Sequence, residues 1–183
     1  MTSFPLLEPS DWAYRDRMSH WRTGPEDSTA PIVVMAEDAG DEYRMSGFDP
    51  KSVDIRQLWA TMSANLSRLR YRWEISEILT LPVATCSGND LASEKVLDPA
   101  AMTQAQELLG TDRILVSVPR RTCIYAVPYA LTEAQSMLFS KVVRTTYQDD
   151  SHGNGAITPG VFVVEDGRIT DFISDPQVSV AAG

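Results

Sequence analysis

The sequence predicts an α+β fold in a single domain, with an antiparallel or mixed sheet and about three helices. Segments with helical periodicity alternate with short runs of β-branched residues. Most of those runs are joined by short turns, which produce hairpins and therefore antiparallel pairs. We expect an N-terminal arm over residues 1–30, one domain over residues 31–176 and a frayed C-terminus over residues 177–183.

The first 30 residues predict an arm that packs on the domain. Prolines and a glycine interrupt any sustained periodicity, yet the segment holds Trp12 and Trp21. Disordered tails are poor in aromatic residues, so these side chains favour packing over a free tail. Ser10 is a candidate cap for a short helical turn over residues 11–19.

Two strands and the longest helix are predicted next. Residues 32–36 form a short apolar run typical of a buried strand, and residues 43–45 return after a polar turn. A helix that opens near Ser52 is predicted over about residues 52–72, because its apolar residues step by three or four positions onto one face. These apolar residues are Ile55, Trp59, Met62, Leu66, Leu69 and Trp73.

Two further helices have clear start signals, and the first of them also has a stop signal. The first is expected to begin with Asp98 as its N-cap and Pro99 at its first position, and to end before Gly110. The second begins after Thr132, where Gln135 completes a capping box. The packed faces are expected to hold Ala101 or Met102, Ala105, Leu108 and Leu109 in the first, and Ala134, Met137, Leu138, Val142 and Thr145 in the second.

The remaining apolar runs predict strands. Residues 78–84 form one, and Pro82 favours an edge position for it because proline lacks a backbone N–H. The turn Asp166-Gly167 is a strong hairpin signal. It predicts a hairpin of residues 161–164 with residues 168–173. The short connection Pro119 to Thr122 predicts a second hairpin, of residues 114–118 with residues 123–127.

Charge and hydropathy exclude several classes of function. The chain carries 25 acidic and 16 basic residues, for a net charge of −9. Nucleic acids and anionic membranes bind basic surfaces, so neither is an expected partner. No apolar run approaches the ~18 residues of a membrane-spanning helix, and we expect no secretion signal at the N-terminus. Cys86 and Cys123 are expected to be reduced thiols, which favours a cytoplasmic protein.

Several short motifs resemble one family when they are taken in their order along the chain. They are Leu58-Trp59 with Asn65-Leu66, the loop Gly88 to Ser93, the strand and V-P-x-R turn from Ile114 to Arg121, and Thr158-Pro159 followed by Val161 to Val164 and Asp166-Gly167. Over residues 52–173 they resemble the YtpQ-like family of uncharacterised bacterial proteins. In that family's pattern the turn continues with Asp, where this chain has Thr122. The resemblance implies a cytosolic bacterial protein without an assigned activity, and it implies no catalytic residues.

Two polar turns are candidate ligand sites. Ser87, Asn89 and Asp90 precede a possible short helix, whose backbone N–H groups are suited to an anion. Capping of that helix by Asn89 or Asp90 explains the same residues without a ligand. Arg120 and Arg121 lie at a hairpin tip, where paired guanidinium groups suit a carboxylate or phosphate, and a solvated turn is the alternative. If the preceding strands are neighbours, Asn89 and Asp90 lie near Arg120 and form one site.

Motifs for zinc, nucleotide or serine-hydrolase chemistry are absent from the sequence. His20 and His152 lack a second ligand residue at helical or turn spacing, so no metal or cofactor is predicted. We therefore expect a non-catalytic binding or regulatory module that engages a protein partner or a second copy of itself. The alternative is a small enzyme or small-anion binder that uses residues 86–90 together with residues 119–122.

Overall fold

The computed structural model describes residues 2–26, 28–40, 42–87, 90–151 and 153–174, and within them it confirms the α+β class. These residues form two antiparallel sheets, of four and six strands, and three α-helices. The predicted frayed end, residues 177–183, lies outside the described residues. The small sheet contains β1 (Ser3–Glu8), β2 (His20–Arg22), β3 (Ile32–Asp38) and β4 (Tyr43–Ser46). The large sheet contains β5 (Arg72–Ile78), β6 (Leu81–Ser87), β7 (Arg113–Ser117), β8 (Tyr125–Pro128), β9 (Val161–Glu165) and β10 (Arg168–Ile173), and the helices are α1 (Ile55–Arg68), α2 (Pro99–Leu109) and α3 (Glu133–Gln148).

The small sheet is built around β3. Strand β1 pairs with it along one side, whereas β2 and β4 share the other side, β2 along residues 32–34 and β4 along residues 35–38. The first 30 residues therefore supply two strands of this sheet. Between those strands, the helical turn expected over residues 11–19 is a 3₁₀ turn at Arg15–Arg17.

Both faces of the small sheet are buried. Leu6 packs with Leu66 of α1 on one face. Leu7 and Val33 point to the other face, where they join α2 and the large sheet in the main core. Strand alternation explains this division, because neighbouring residues of a strand point to opposite faces. On the far side of the large sheet, α3 packs through Phe139.

Helix α1 is shorter than predicted at both ends. The side chain of Asp54 caps it by accepting hydrogen bonds from backbone N–H groups of the first turn, so the helix begins at Ile55 and not near Ser52. It ends at Arg68, whereas Trp73, which continues the apolar spacing, lies on β5. Pairing of β5 with β6 along all 7 of its residues outweighs the helical spacing.

The large sheet has the order β10-β9-β7-β8-β6-β5. The sequence does not predict β5. Strand β6 lies between β8 and β5, so it is an interior strand, and the edge position inferred from Pro82 is wrong. Strand β6 pairs with β8 only at Ala84 and Thr85, and Pro82 lies outside that ladder. The missing N–H of proline therefore removes no hydrogen bond between these strands.

Both predicted ends of α2 and the predicted start of α3 are confirmed, but the predicted packed faces of these helices are only partly correct. Asp98 caps α2, Gly110 ends it with a φ of 68°, and Thr132 caps α3 in the expected capping box. Leu108 and Met137, both predicted to be packed, are exposed. Each helix has the expected periodicity, but its rotation about its own axis is set by the sheet that it covers. The buried residues are Ala101, Met102, Ala105 and Gln106 in α2, and Phe139, Ser140 and Val143 in α3.

Both predicted hairpins are confirmed. Strands β7 and β8 are antiparallel, joined by residues 118–124, and β9 turns directly into β10. The latter turn has a φ of 49° at Asp166 and 73° at Gly167. Positive φ at both central residues is the requirement of a type I′ turn, which explains the Asp-Gly pair.

Candidate functional site

The loop after β6 supplies the first group of predicted site residues. Ser87 ends β6 and is exposed, Asn89 lies outside the described residues, and Asp90 is exposed. Burial raises the pKa of Tyr43, and nearby negative charges, that of Asp90 among them, raise it further. Asp90 therefore lies within electrostatic range of β4.

The second group lies between β7 and β8, where Arg121 is bonded to two acidic side chains. Its Nη2 lies 2.7 Å from Oε1 of Glu8, and its Nη1 lies 3.4 Å from Oε1 of Glu94. Nη2 also donates to the carbonyl oxygen of Leu7 at 3.2 Å. The side chain of Arg121 is 26% exposed, whereas those of Glu8 and Glu94 are 6% and 0% exposed. Arg121, Glu8 and Glu94 form a buried ionic cluster, named below the Arg121 cluster.

Glu94 has further donors within the protein. Its Oε1 accepts from the backbone N–H of Leu7 at 3.2 Å, and its Oε2 accepts from the hydroxyl of Ser93 at 2.6 Å. Burial raises the pKa of Glu94 and of Glu8, and Arg121 opposes that rise at both. Arg121 is the largest of the influences that oppose the rise at each carboxyl, so it favours the charged form of both.

Arg120 is buried and binds other residues than the acids of the Arg121 cluster. Its Nη1 donates to the carbonyl oxygen of Tyr147 at 2.7 Å, and its Nε donates to the carbonyl oxygen and Oδ1 of Asn154, both at 3.0 Å. Asn154 in turn donates from Nδ2 to the carbonyl oxygen of Arg121 at 2.7 Å. Arg120 therefore fixes the loop after α3, and it is not the solvated residue of an open turn.

The segment that follows the polar loop contacts the arginine turn. Ser93 and Glu94 begin the 3₁₀ segment Ser93–Leu97, which directly follows the loop. The backbone N–H of Thr122 donates to the hydroxyl of Ser93 at 3.3 Å, and Arg121 binds Glu94. The joint site of Asn89, Asp90 and Arg120 stays a prediction.

A signal for these missed residues exists in the sequence. The polar triplet Ser93-Glu94-Lys95 stands between the apolar pairs Leu91-Ala92 and Val96-Leu97. All three polar residues are fully buried. A charged pair enclosed by apolar residues on both sides is typical of buried, partnered charges, because an unpartnered one is too costly to bury.

Lys95 joins the end of α1 to the start of α2. Its Nζ donates to the carbonyl oxygen of Leu66 at 2.6 Å and lies 3.2 Å from Oδ2 of Asp98. It also lies 4.2 Å from the ring centroid of Tyr71, a cation–π distance. Burial lowers the pKa of Lys95, and Asp98 opposes that change. The other carboxylate oxygen of Asp98 caps α2 at Ala100, so one residue holds both the lysine and the helix.

The two cysteines are free thiols, as expected, and neither is activated. Burial raises the pKa of Cys86 to about 11 and also raises that of Cys123. Since the thiolate is the reactive form, both side chains are poor nucleophiles at neutral pH. Among the described residues, no group of three or more His, Cys, Asp or Glu side chains is placed to hold a metal ion. No helix in the described ranges is long and apolar enough to span a membrane.

Strand β5 presents a different kind of surface. It is the last strand at one end of the large sheet, and among the described residues it pairs only with β6. Ile75 on this strand is 49% exposed, and Leu79 in the turn to β6 is 80% exposed. Leu79 has a φ of 57°, a left-handed conformation that costs a non-glycine residue about 1–2 kcal/mol. We name β5 together with Leu79 the β5 edge.

Comparisons with protein-family models, curated proteins and solved structures find no match to this chain. The resemblance to the YtpQ-like family stays a prediction. Chemically, the Arg121 cluster is closed, because its guanidinium donates to protein oxygens and its acids are buried. The β5 edge is open, because its outer backbone groups have no strand beside them in the described part of the chain.

Proposed function

We propose that this protein is a non-catalytic cytosolic binding module that takes up an extended segment of a basic protein partner along the β5 edge. The observation that carries the proposal is the open side of β5 next to the exposed side chains of Ile75 and Leu79. Unprotected edge strands pair readily with another strand. Recognition by strand addition draws its affinity from main-chain hydrogen bonds and its specificity from alternate side chains.

The hairpin register identifies the backbone groups that a partner would meet. Ile78 pairs with Leu81 across a two-residue turn, and the pair that closes such a turn exchanges hydrogen bonds. Hydrogen-bonded pairs alternate along an antiparallel ladder, so the even-numbered residues of β5 bond to β6. The N–H and C=O groups of Trp73, Ile75 and Glu77 therefore point away from the sheet.

Charge favours a basic partner over a second copy of the chain. The net charge is −9, so two copies repel each other. On β5 itself, Glu74 and Glu77 are exposed, and Arg72 already pairs with Glu74 at 3.1 Å. A segment in which apolar residues alternate with Lys or Arg complements both the apolar side chains and the acids of this edge.

The alternative of a small enzyme or anion binder at residues 86–90 and 119–122 has less support. Arg120 and Arg121 donate to oxygens of the protein, so an anion would have to displace those oxygens to bind either guanidinium. The raised pKa of Cys86 and of Cys123 argues against thiol catalysis. Free thiols are typical of a reducing compartment, which supports the cytosolic location.

Titration with a short fluorescent peptide of alternating Lys and Val tests the proposal. We expect saturable binding that weakens as salt is added, because the attraction is partly electrostatic. A peptide with Glu in place of Lys controls for charge, and one with N-methylated backbone groups on one edge controls for strand pairing. Equal affinity for the N-methylated peptide would contradict strand addition.

Variants of Ile75 distinguish the contribution of backbone hydrogen bonds to peptide binding from that of side-chain contacts. Ile75→Pro deletes an N–H that points away from β6, so the hairpin should fold while peptide binding falls at least ~10-fold. Ile75→Thr keeps the N–H and loses apolar contact, and it should weaken binding less. Ile75→Lys keeps the backbone and places a like charge against the peptide, so it should also bind poorly. Wild-type affinity for the peptide in both Ile75→Pro and Ile75→Lys would refute the proposed partner. It would also be refuted if the wild-type chain sediments as a dimer and Ile75→Pro sediments as a monomer.

A further inference from the structure

A cavity of about 290 Å³ opens where the small sheet meets the turn between β9 and β10, away from β5. Its walls come from β2, β3, α1, the 3₁₀ segment Ser93–Leu97 and that turn. Strand β10 lies at the opposite end of the large sheet from β5, so this cavity is separate from the β5 edge. Its volume is near the lower limit of ligand pockets, which typically measure ~300–1,000 Å³.

The walls of the cavity are mostly apolar. Val33, Trp59, Val96 and Ile169 line it, and Trp59 is held in place by the ring of Trp21, with ring centroids 5.3 Å apart. A rigid aromatic wall favours a flat or compact apolar body over water. Apolar walls with few polar groups are the usual composition of small-molecule sites.

Of the described residues that line the cavity, the charged ones are Arg22 and Arg168. Both are positive, in a chain of net charge −9. Arg168 is exposed, and its side chain makes no hydrogen bond or ion pair with the described residues. Arg22 pairs with Glu26 at 3.1 Å in an exposed, i,i+4 ion pair. Such pairs contribute little to stability, so an incoming anion competes with Glu26 at small cost.

We infer that this cavity binds a small organic carboxylate, whose compact apolar body lies against Trp59 and whose carboxylate lies between Arg22 and Arg168. Guanidinium groups bind carboxylates in a bidentate, planar geometry, which gives both affinity and orientation. The small volume favours one fused two-ring system or a short chain over a nucleotide. This site does not depend on the proposed peptide binding, since it shares no lining residue with the β5 edge.

Isothermal titration of the full chain with 2-naphthoate tests the inference, and 2-naphthalenemethanol serves as its neutral analogue. We expect 2-naphthoate to bind in a saturable manner and the alcohol to bind at least ~10-fold more weakly. Inorganic phosphate alone should bind poorly, because it lacks the apolar body. Octanoate provides a second carboxylate of different shape. No saturable binding of either carboxylate up to about 1 mM, or equal binding of the alcohol, would overturn the inference.

Arginine variants locate the site. Arg168→Gln and Arg22→Gln should each weaken the binding of 2-naphthoate at least ~10-fold. Because both side chains are exposed, neither substitution should prevent folding. Arg44→Gln is the matched control, because it removes the same charge from an exposed arginine that does not line the cavity. Wild-type affinity in both test variants would overturn the inference. An equal loss in Arg44→Gln would also overturn it, since binding would then follow net charge alone.

Discussion

Replacing Arg121 by methionine tests whether the ion pairs of the Arg121 cluster stabilise the fold. Methionine keeps an apolar stem and removes the guanidinium, so the carboxylates of Glu8 and Glu94 lose their shared cation. Removing one partner of a buried ion pair costs about 3–5 kcal/mol, because the other charge stays buried. The variant should therefore be much less stable than the wild type.

The contacts that Arg121→Met removes narrow the expected loss of stability. Arg121 donates to Glu8 at 2.7 Å, to Glu94 at 3.4 Å and to the carbonyl oxygen of Leu7 at 3.2 Å. A hydrogen bond to a charged group contributes about 1.5–3 kcal/mol, so the short bond lies near the top of that range and the long one near the bottom. Glu94 also keeps its bonds from Ser93 and Leu7. We expect a loss of about 4 kcal/mol in the free energy of unfolding at neutral pH.

The loss should shrink as the pH falls. Burial raises the pKa of Glu8 and Glu94 above the ordinary value of 4.5, and Arg121 opposes that rise. Without Arg121 the pKa of each carboxyl in the folded state rises further, so the folded variant takes up protons at a pH where the unfolded chain does not. The free energy of unfolding of the variant then increases as the pH falls from neutral toward 4.5.

Urea denaturation at neutral pH and at about pH 5, followed by tryptophan fluorescence, measures both effects. Arg44→Met is the control, since Arg44 pairs with Glu42 while their side chains are 71% and 61% exposed. That change should cost less than about 1 kcal/mol and depend little on pH. The reasoning fails if Arg121→Met costs no more than Arg44→Met, or if its cost grows as the pH falls.

Three further predictions concern single residues. Leu79→Gly should raise the free energy of unfolding by about 1 kcal/mol, because glycine adopts the φ of 57° without strain, and a lower melting temperature would count against this. Cys86, whose pKa is raised to about 11 by burial, should react with iodoacetamide at mildly alkaline pH only as fast as the chain opens, and rapid labelling of native protein detected by mass spectrometry would contradict its burial. Lys95→Met should cost about 3–5 kcal/mol by leaving Asp98 buried without its cation. Adding Asp98→Asn should recover part of that loss, and strictly additive effects in urea denaturation would argue against the pair.

The Arg121 cluster and the β5 edge could be predicted only in part from the sequence. Arg121 is singled out by its doublet with Arg120, but the residues that bind it are far away in sequence, 113 positions for Glu8 and 27 for Glu94. Sequence spacing carries no information on such pairs. The β5 edge was missed because Trp73 continues the helical spacing of α1, and only pairing with β6 makes that segment a strand.

Local interactions explain what the sequence by itself determined. The caps Asp98 and Thr132, the C-terminal Gly110 and the turn Asp166-Gly167 act within a few residues of themselves, so their structures follow from the chain alone. Tertiary structure decided which face of each helix is buried, that residues 3–8 enter the small sheet, and that Glu94 is buried and paired. Each of these outcomes depends on apolar area removed from water, or on a charge desolvated, by elements distant along the chain.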